Sequence, residues 1–101
     1  GLTGFCSGLA RKTAINNVTI NNILPGPFAT DRFYSNIQTQ ADNAGKSFDE
    51  TLAIRNSQNP TGRAGDPAEF GDACAFLCSA KSGFIVGQNL LLDGGAFNST
   101  L

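Results

Sequence analysis

The sequence predicts an α/β protein in which parallel strands are joined by a crossover helix, and three segments carry that expectation. A β-branched stretch, Val18 to Leu24, stops at Pro25-Gly26-Pro27; β-branched residues favour strands, whereas proline cannot donate to a ladder. Asp66-Pro67-Ala68-Glu69 places a capping residue, a proline at the first helical position and a glutamate three after the cap, so a helix starts there. Gln88-Asn89-Leu90-Leu91-Leu92 is apolar without alternation and runs into Asp93-Gly94-Gly95, the pattern of a parallel strand covered on both faces. Strand, helix and strand in that order form a βαβ unit, which closes right-handed.

Taken in order, the first element is a helix. Leu2, Phe5, Cys6, Leu9 and Ala10 recur at three- and four-residue spacing, and Arg11 and Lys12 sit where cations favour a helix C-terminus near Asn16-Asn17. Nothing at Gly1 caps it, so it reads as the tail of a helix whose front half is missing. After the first strand, residues 31–66 are long, polar and weakly patterned, with helical fragments around Asp31–Gln40 and Phe48–Asn56. A connection of that length reads as a lid or binding loop. Asn59-Pro60-Thr61-Gly62 and Ala64-Gly65 punctuate its end, and Phe70, Ala73, Cys74 and Leu77 make the apolar stripe of the following helix, broken by Ser79 to Gly83. Two parallel strands cannot complete a sheet. The other strands are expected from outside this polypeptide, which by itself is expected to fold poorly or to associate through its strand edge.

Composition narrows the function. Of 101 residues, with net charge -1, the basic ones (Arg11, Lys12, Arg32, Lys46, Arg55, Arg63, Lys81) are scattered, which excludes a nucleic-acid stripe. There is no His and no Cys-x-x-Cys, which sets aside a zinc site or a His-based triad, so no metal is expected. The three cysteines read as reduced. No apolar run is long enough for a membrane and no signal segment opens the chain, so a cytoplasmic location is expected and the triplets Asn17-Val18-Thr19 and Asn98-Ser99-Thr100 have no route to glycosylation.

Several segments then fall into a known order. Gly1-Leu2-Thr3-Gly4-Phe5 continues through Leu9-Ala10; Pro25-Gly26 is followed four residues after the glycine by Thr30; Pro60-Thr61-Gly62-Arg63-Ala64-Gly65-Asp66-Pro67-Ala68-Glu69 leads to Ala75-Phe76-Leu77-Cys78-Ser79; Ile85-Val86-Gly87-Gln88 precedes Asp93-Gly94-Gly95. This succession resembles the C-terminal part of the short-chain dehydrogenase/reductases, with the closing segments most similar to 3-oxoacyl-thioester reductases (those acting on acyl-carrier-protein substrates) and to sugar-alcohol or secondary-alcohol dehydrogenases. Only the loop from about Phe33 to Gln58 falls outside the resemblance.

The resemblance implies the C-terminal portion of a Rossmann-like doubly wound parallel sheet, in the order helix, strand, lid, helix, strand. Residues 1–101 would be the C-terminal fragment of one reductase domain, with 31–66 as the substrate lid. The family's Tyr-x-x-x-Lys, catalytic Ser and glycine-rich turn would all fall ahead of Gly1, leaving no catalytic residue in this chain: its one tyrosine, Tyr34, has no Lys four residues on. The implied cofactor is NAD or NADP. Its nicotinamide would meet Pro25-Gly26, the backbone of Phe28 and the hydroxyl of Thr30; the competing reading is a plain turn followed by a helix cap. Phe33, Tyr34 and Phe48, with Phe28, would line an apolar substrate pocket, or else only fasten the lid. Arg63, Asp66 and Glu69 read as structural. The implied reaction moves hydride between nicotinamide and a small-molecule carbonyl or alcohol carbon, in a homo-oligomer (dimer or tetramer). The alternative is a non-catalytic interaction module derived from a reductase.

Overall fold

The computed structural model describes residues 2–97; Gly1 and the triplet Asn98-Ser99-Thr100 lie outside the described residues. Four helices and two strands follow one another: α1 (Leu2–Thr13), β1 (Asn22–Pro25), α2 (Asp31–Ala44), α3 (Phe48–Ser57), α4 (Pro67–Leu77) and β2 (Asn89–Leu92). They divide between two compact units, one of Gly1–Leu24 with Ala68–Leu92 and the other of Pro25–Pro67 with Asp93–Leu101. Among the described residues no helix is long and apolar enough to cross a membrane.

In the first unit α1 ends at Thr13, three residues before the Asn16-Asn17 at which the sequence places its end. A short 3-10 turn, Ala14–Asn16, follows it, and Asn17 takes a left-handed φ of 60° while donating to the Ala14 carbonyl, a conformation Asn tolerates better than most residues. The two strands pair in one parallel sheet. β1 is shorter and later than the Val18–Leu24 expected, and the reason is an irregularity in the ladder. Gly87 donates to the Ile20 carbonyl and Asn22 to the Gln88 carbonyl, both at 2.9 Å. A regular parallel ladder would use the Gly87 carbonyl for the second bond, so one extra residue is inserted, as in a β-bulge. Both displaced groups are satisfied by side chains: the Gln88 amide donates to Asn21 Oδ1 at 2.9 Å, and the Gly87 carbonyl accepts from Ser7 Oγ on α1 at 3.3 Å. Asn21 Nδ2 also donates to the Ile85 carbonyl at 3.0 Å. Gly87 has φ +69°, which is what glycine supplies there, since an added Cβ would meet the fully buried Ala10 only at 3.6 Å, an ordinary contact.

α4 begins at Pro67, directly after Asp66, as its capping signal requires. Phe70, Ala73, Cys74 and Leu77 are its least exposed positions, yet each is only half-buried. The sheet is similarly bare: Leu91 and Leu92 are half-buried and Leu24 and Leu90 exposed, short of the two-sided cover that an unbroken apolar strand calls for. The helix is closed by Ser82, 1% exposed, whose hydroxyl bonds the Leu77 and Ser79 carbonyls at 2.8 and 3.1 Å.

In the second unit the stretch expected as a loop with helical fragments is a hairpin of two complete helices. Gly45, at φ +65°, ends α2, with Lys46 donating to the Ala41 carbonyl at 3.0 Å and Gly45 to that of Asp42 at 3.4 Å, the two bonds of a Schellman motif. Two residues on, Ser47 Oγ accepts from the Glu50 amide at 3.1 Å and opens α3. Ser-x-x-Glu is a capping-box spacing, so the boundaries of both helices are local. α2 and α3 pack together, burying Ile37 and Ala41 on α2 and Thr51 on α3. Thr51 donates its hydroxyl to the Ser47 carbonyl at 2.9 Å, which removes the cost of burying it.

Candidate active-site turn and lid

The turn after β1 is built from Pro25, Gly26 and Pro27, of which Pro25 is exposed and the other two half-buried. It is pinned at once. Gly65 donates to the Pro27 carbonyl at 2.9 Å and accepts from the Ala29 amide at 2.8 Å, forming a parallel bridge between Phe28 and Gly65. In such a bridge the flanking residues turn their groups toward the partner, so the N–H and C=O of Phe28 itself point away from Gly65. The Phe28 carbonyl accepts from Thr30 at 2.8 Å, a three-residue turn of the γ type that aims the chain into α2.

Thr30 caps α2: with extended dihedrals (φ -103°, ψ 169°), its Oγ1 accepts from the Phe33 amide at 3.3 Å. A hydroxyl is one donor and two acceptors, so the cap uses a lone pair and leaves the proton to be directed elsewhere. Cap and ligand contact are therefore compatible at this residue.

The structure brings together the three aromatics Phe33, Tyr34 and Phe48. Phe33 meets Tyr34 edge to face, with centroids 5.4 Å apart and planes at 75°, and Tyr34 meets Phe48 at 6.3 Å and 40°. Phe33 and Phe48 are half-buried, while Tyr34 is 42% exposed. Both separations are those of favourable aromatic pairs, so the cluster fastens the first turn of α2 to the first residue of α3. Phe28 has a different role, lying with its ring against Gly65.

Sequence reasoning missed two parts of this site. Gly65 reads as loop punctuation, although it ties the two ends of the 31–66 stretch together. Asn59, 7% exposed, bonds the Asp93 carbonyl at 2.9 Å and accepts from the amide and hydroxyl of Thr61 at 3.0 and 2.6 Å; Asn-Pro as a turn signal gives no hint of so distant a partner. Asp93 in turn caps the chain after β2, accepting from Gly95 and Phe97 at 3.0 and 2.9 Å. Arg63, read as structural, donates to the neighbouring Ala64 carbonyl at 3.0 Å. Among the described residues no three of His, Cys, Asp and Glu gather where they could hold a metal ion, and every buried side-chain polar atom has a partner.

Residues 1–97 match the family model described as enoyl-(acyl carrier protein) reductase. The backbone also follows that of a short chain dehydrogenase family protein from Francisella tularensis, with a TM-score of 0.85 and 33% identity over 94% of this chain and 39% of that one. The chain belongs to the short-chain dehydrogenase/reductase family. Within this family it is 37% identical over 97 residues to a 3-oxoacyl-(acyl-carrier-protein) reductase of Vibrio cholerae, covering 96% of this chain and 35% of that enzyme. It is also similar to actinorhodin polyketide ketoreductase, solved with NADPH, at a TM-score of 0.84 and 26% identity over 98% of this chain and 38% of that one. The chain thus spans about a third of the length of the short-chain dehydrogenase/reductases it matches.

Proposed function

We propose that this chain is the nicotinamide-side turn and the substrate lid of an NAD(P)-dependent oxidoreductase that interconverts a carbonyl and an alcohol, with a 3-oxoacyl thioester or a small ketone as substrate. The observation that carries the reading is the turn itself. Residues 25–30 follow the carboxyl end of a parallel strand, where α/β sheets of this kind bind their ligands, and the bridge to Gly65 fixes the direction of the Phe28 amide. That amide would bond the carboxamide of the nicotinamide and the Thr30 hydroxyl would assist, while Pro25 and Gly26 set the approach. The nicotinamide, when bound, supplies hydride from its C4. Phe33, Tyr34 and Phe48 would line the substrate side and, as the lid closes, exclude water. No residue of this chain is assigned proton transfer; Tyr34 sits in the lid with Gln38 four residues on.

The exposed apolar side chains support association in the intact protein. Phe5, Leu9 and Ile15 stand 68%, 40% and 89% exposed on and just after α1, more apolar surface than one short segment ordinarily leaves bare. We assign them to contacts within a homo-oligomer, a dimer or tetramer in the cytoplasm. The test is turnover. The intact protein, given NADPH or NADH with acetoacetyl thioesters and small ketones, is expected to consume nicotinamide absorbance, whereas the 101-residue chain alone is expected to be inactive. An intact protein that neither binds nor oxidises either nucleotide would overturn the assignment.

A further inference from the structure

Resting on the reading of residues 25–30 as a nicotinamide contact, we propose that Gly65 is a positioning residue for the cofactor: its missing side chain seats the Phe28 ring, and that seat holds the Phe28 amide at the angle the carboxamide needs. A Cβ built on Gly65 would stand 2.7 Å from Cε1, 2.8 Å from Cδ1 and 3.2 Å from Cζ of Phe28. Carbon atoms in contact sit about 3.5–4.0 Å apart, so a single methyl would drive the Phe28 ring and the Gly65 backbone apart by about 1 Å.

Conformation does not explain the glycine. Gly45 and Gly62 have left-handed φ values of +65° and +74° with nothing within 4 Å of an added Cβ, whereas Gly65 has no left-handed φ and is crowded by one side chain. Space is therefore what glycine supplies at this position. The crowding side chain belongs to the residue whose backbone is bridged to Gly65 by the bonds from Pro27 and Ala29. Ring and bridge act on the same three residues, 27–29, so displacing the ring acts on the amide between them. Gly65 touches neither reacting atom nor cofactor; it acts through Phe28.

The experiment compares two probes on the intact protein: NADPH or NADH, whichever the wild type binds, and the matching ADP-ribose or its 2′-phosphate, which lack the nicotinamide ring. Gly65→Ala is expected to weaken the dinucleotide about tenfold, the worth of one hydrogen bond pulled out of reach, and to leave ADP-ribose binding unchanged. Adding Phe28→Ala to Gly65→Ala removes the clash, and the double variant is expected to bind no more weakly than Phe28→Ala alone. Equal losses for both probes would mean that the substitution only unsettles the fold, and simple additivity would mean that the ring is not the link; either overturns the proposal. If Gly65→Ala does not fold, Phe28→Ala alone decides: a loss confined to the dinucleotide is expected, and no loss, or an equal loss for both probes, overturns it. A wild-type protein that binds ADP-ribose but gains nothing from the nicotinamide ring would refute the seat while sparing the oxidoreductase assignment; one that binds neither probe removes both.

Discussion

Asn59 reaches across 34 residues of sequence to donate its side-chain amide to the main-chain carbonyl of Asp93 at 2.9 Å. The stretch that follows α3 is thereby fastened to the segment that follows β2. Asn59→Ala removes this bond and the acceptor for Thr61, leaving the half-buried Asp93 carbonyl and the Thr61 amide without these partners. The expected loss is about 2–3 kcal/mol, measured by urea denaturation of the intact protein. Asn59→Asp keeps the acceptor and loses the donor, so its stability should fall between the two.

Gly94 tests the same clasp from the other side. It has φ +66°, and an added Cβ would stand 2.5 Å from Asn59 Oδ1 and 3.0 Å from Thr61 Cγ2. Gly45 has nearly the same φ with open space around it. Gly45→Ala should cost about 1 kcal/mol, the strain of a left-handed alanine, and Gly94→Ala about 2–3 kcal/mol, with overpacking added. Equal losses in parallel denaturation curves would show that Asn59 yields freely.

Ser47 holds the first turn of α3 through its bond from the Glu50 amide. Ser47→Ala should destabilise that helix by about 1 kcal/mol. The readout is local: hydrogen exchange at Glu50 and Thr51 should accelerate while α4 keeps its protection, and Ser47→Asp should restore the slow exchange.

These elements differ in how plainly the residues announce them. The helix at Pro67, the turn at Pro25-Gly26 and the end of the first helical run near Asn16-Asn17 are legible because each signal lies within a few residues of its effect. The lid is harder. α2 carries its buried Ile37 and Ala41 among Asn36, Gln38, Thr39 and Gln40, and α3 turns inward a Thr rather than an aliphatic residue, so periodicity is faint although Gly45 and Ser47-x-x-Glu50 mark both boundaries. β1 starts later than its β-branched run because the bulge at Gly87 is a relation between segments 67 residues apart. The aromatic cluster of Phe33, Tyr34 and Phe48 could be listed from sequence but not assembled, since its geometry depends on how tightly the hairpin closes.

The bulge gives a further expectation. Asn21 satisfies both the Gln88 amide and the Ile85 carbonyl, whereas Ser7 contributes one longer bond to the Gly87 carbonyl. Asn21→Ala should cost about 2 kcal/mol and Ser7→Ala about 0.5–1 kcal/mol in thermal or urea unfolding. A reversal of that order would show that α1, not the side chain from β1's approach, holds the extra residue in place.

The bridge between Phe28 and Gly65 is made by main chain on both sides, and the helical hairpin between them carries its own caps and its own small core. The bridge itself needs no side chain from that interval; the one tie from it to the chain beyond described above is Asn59 to the Asp93 carbonyl. The interval is therefore an exchangeable cassette so long as Asn59 is kept: swapping it between homologues at these two residues should transplant substrate preference while the underlying scaffold folds as before, because variable connections on a fixed frame are where proteins of this architecture diversify.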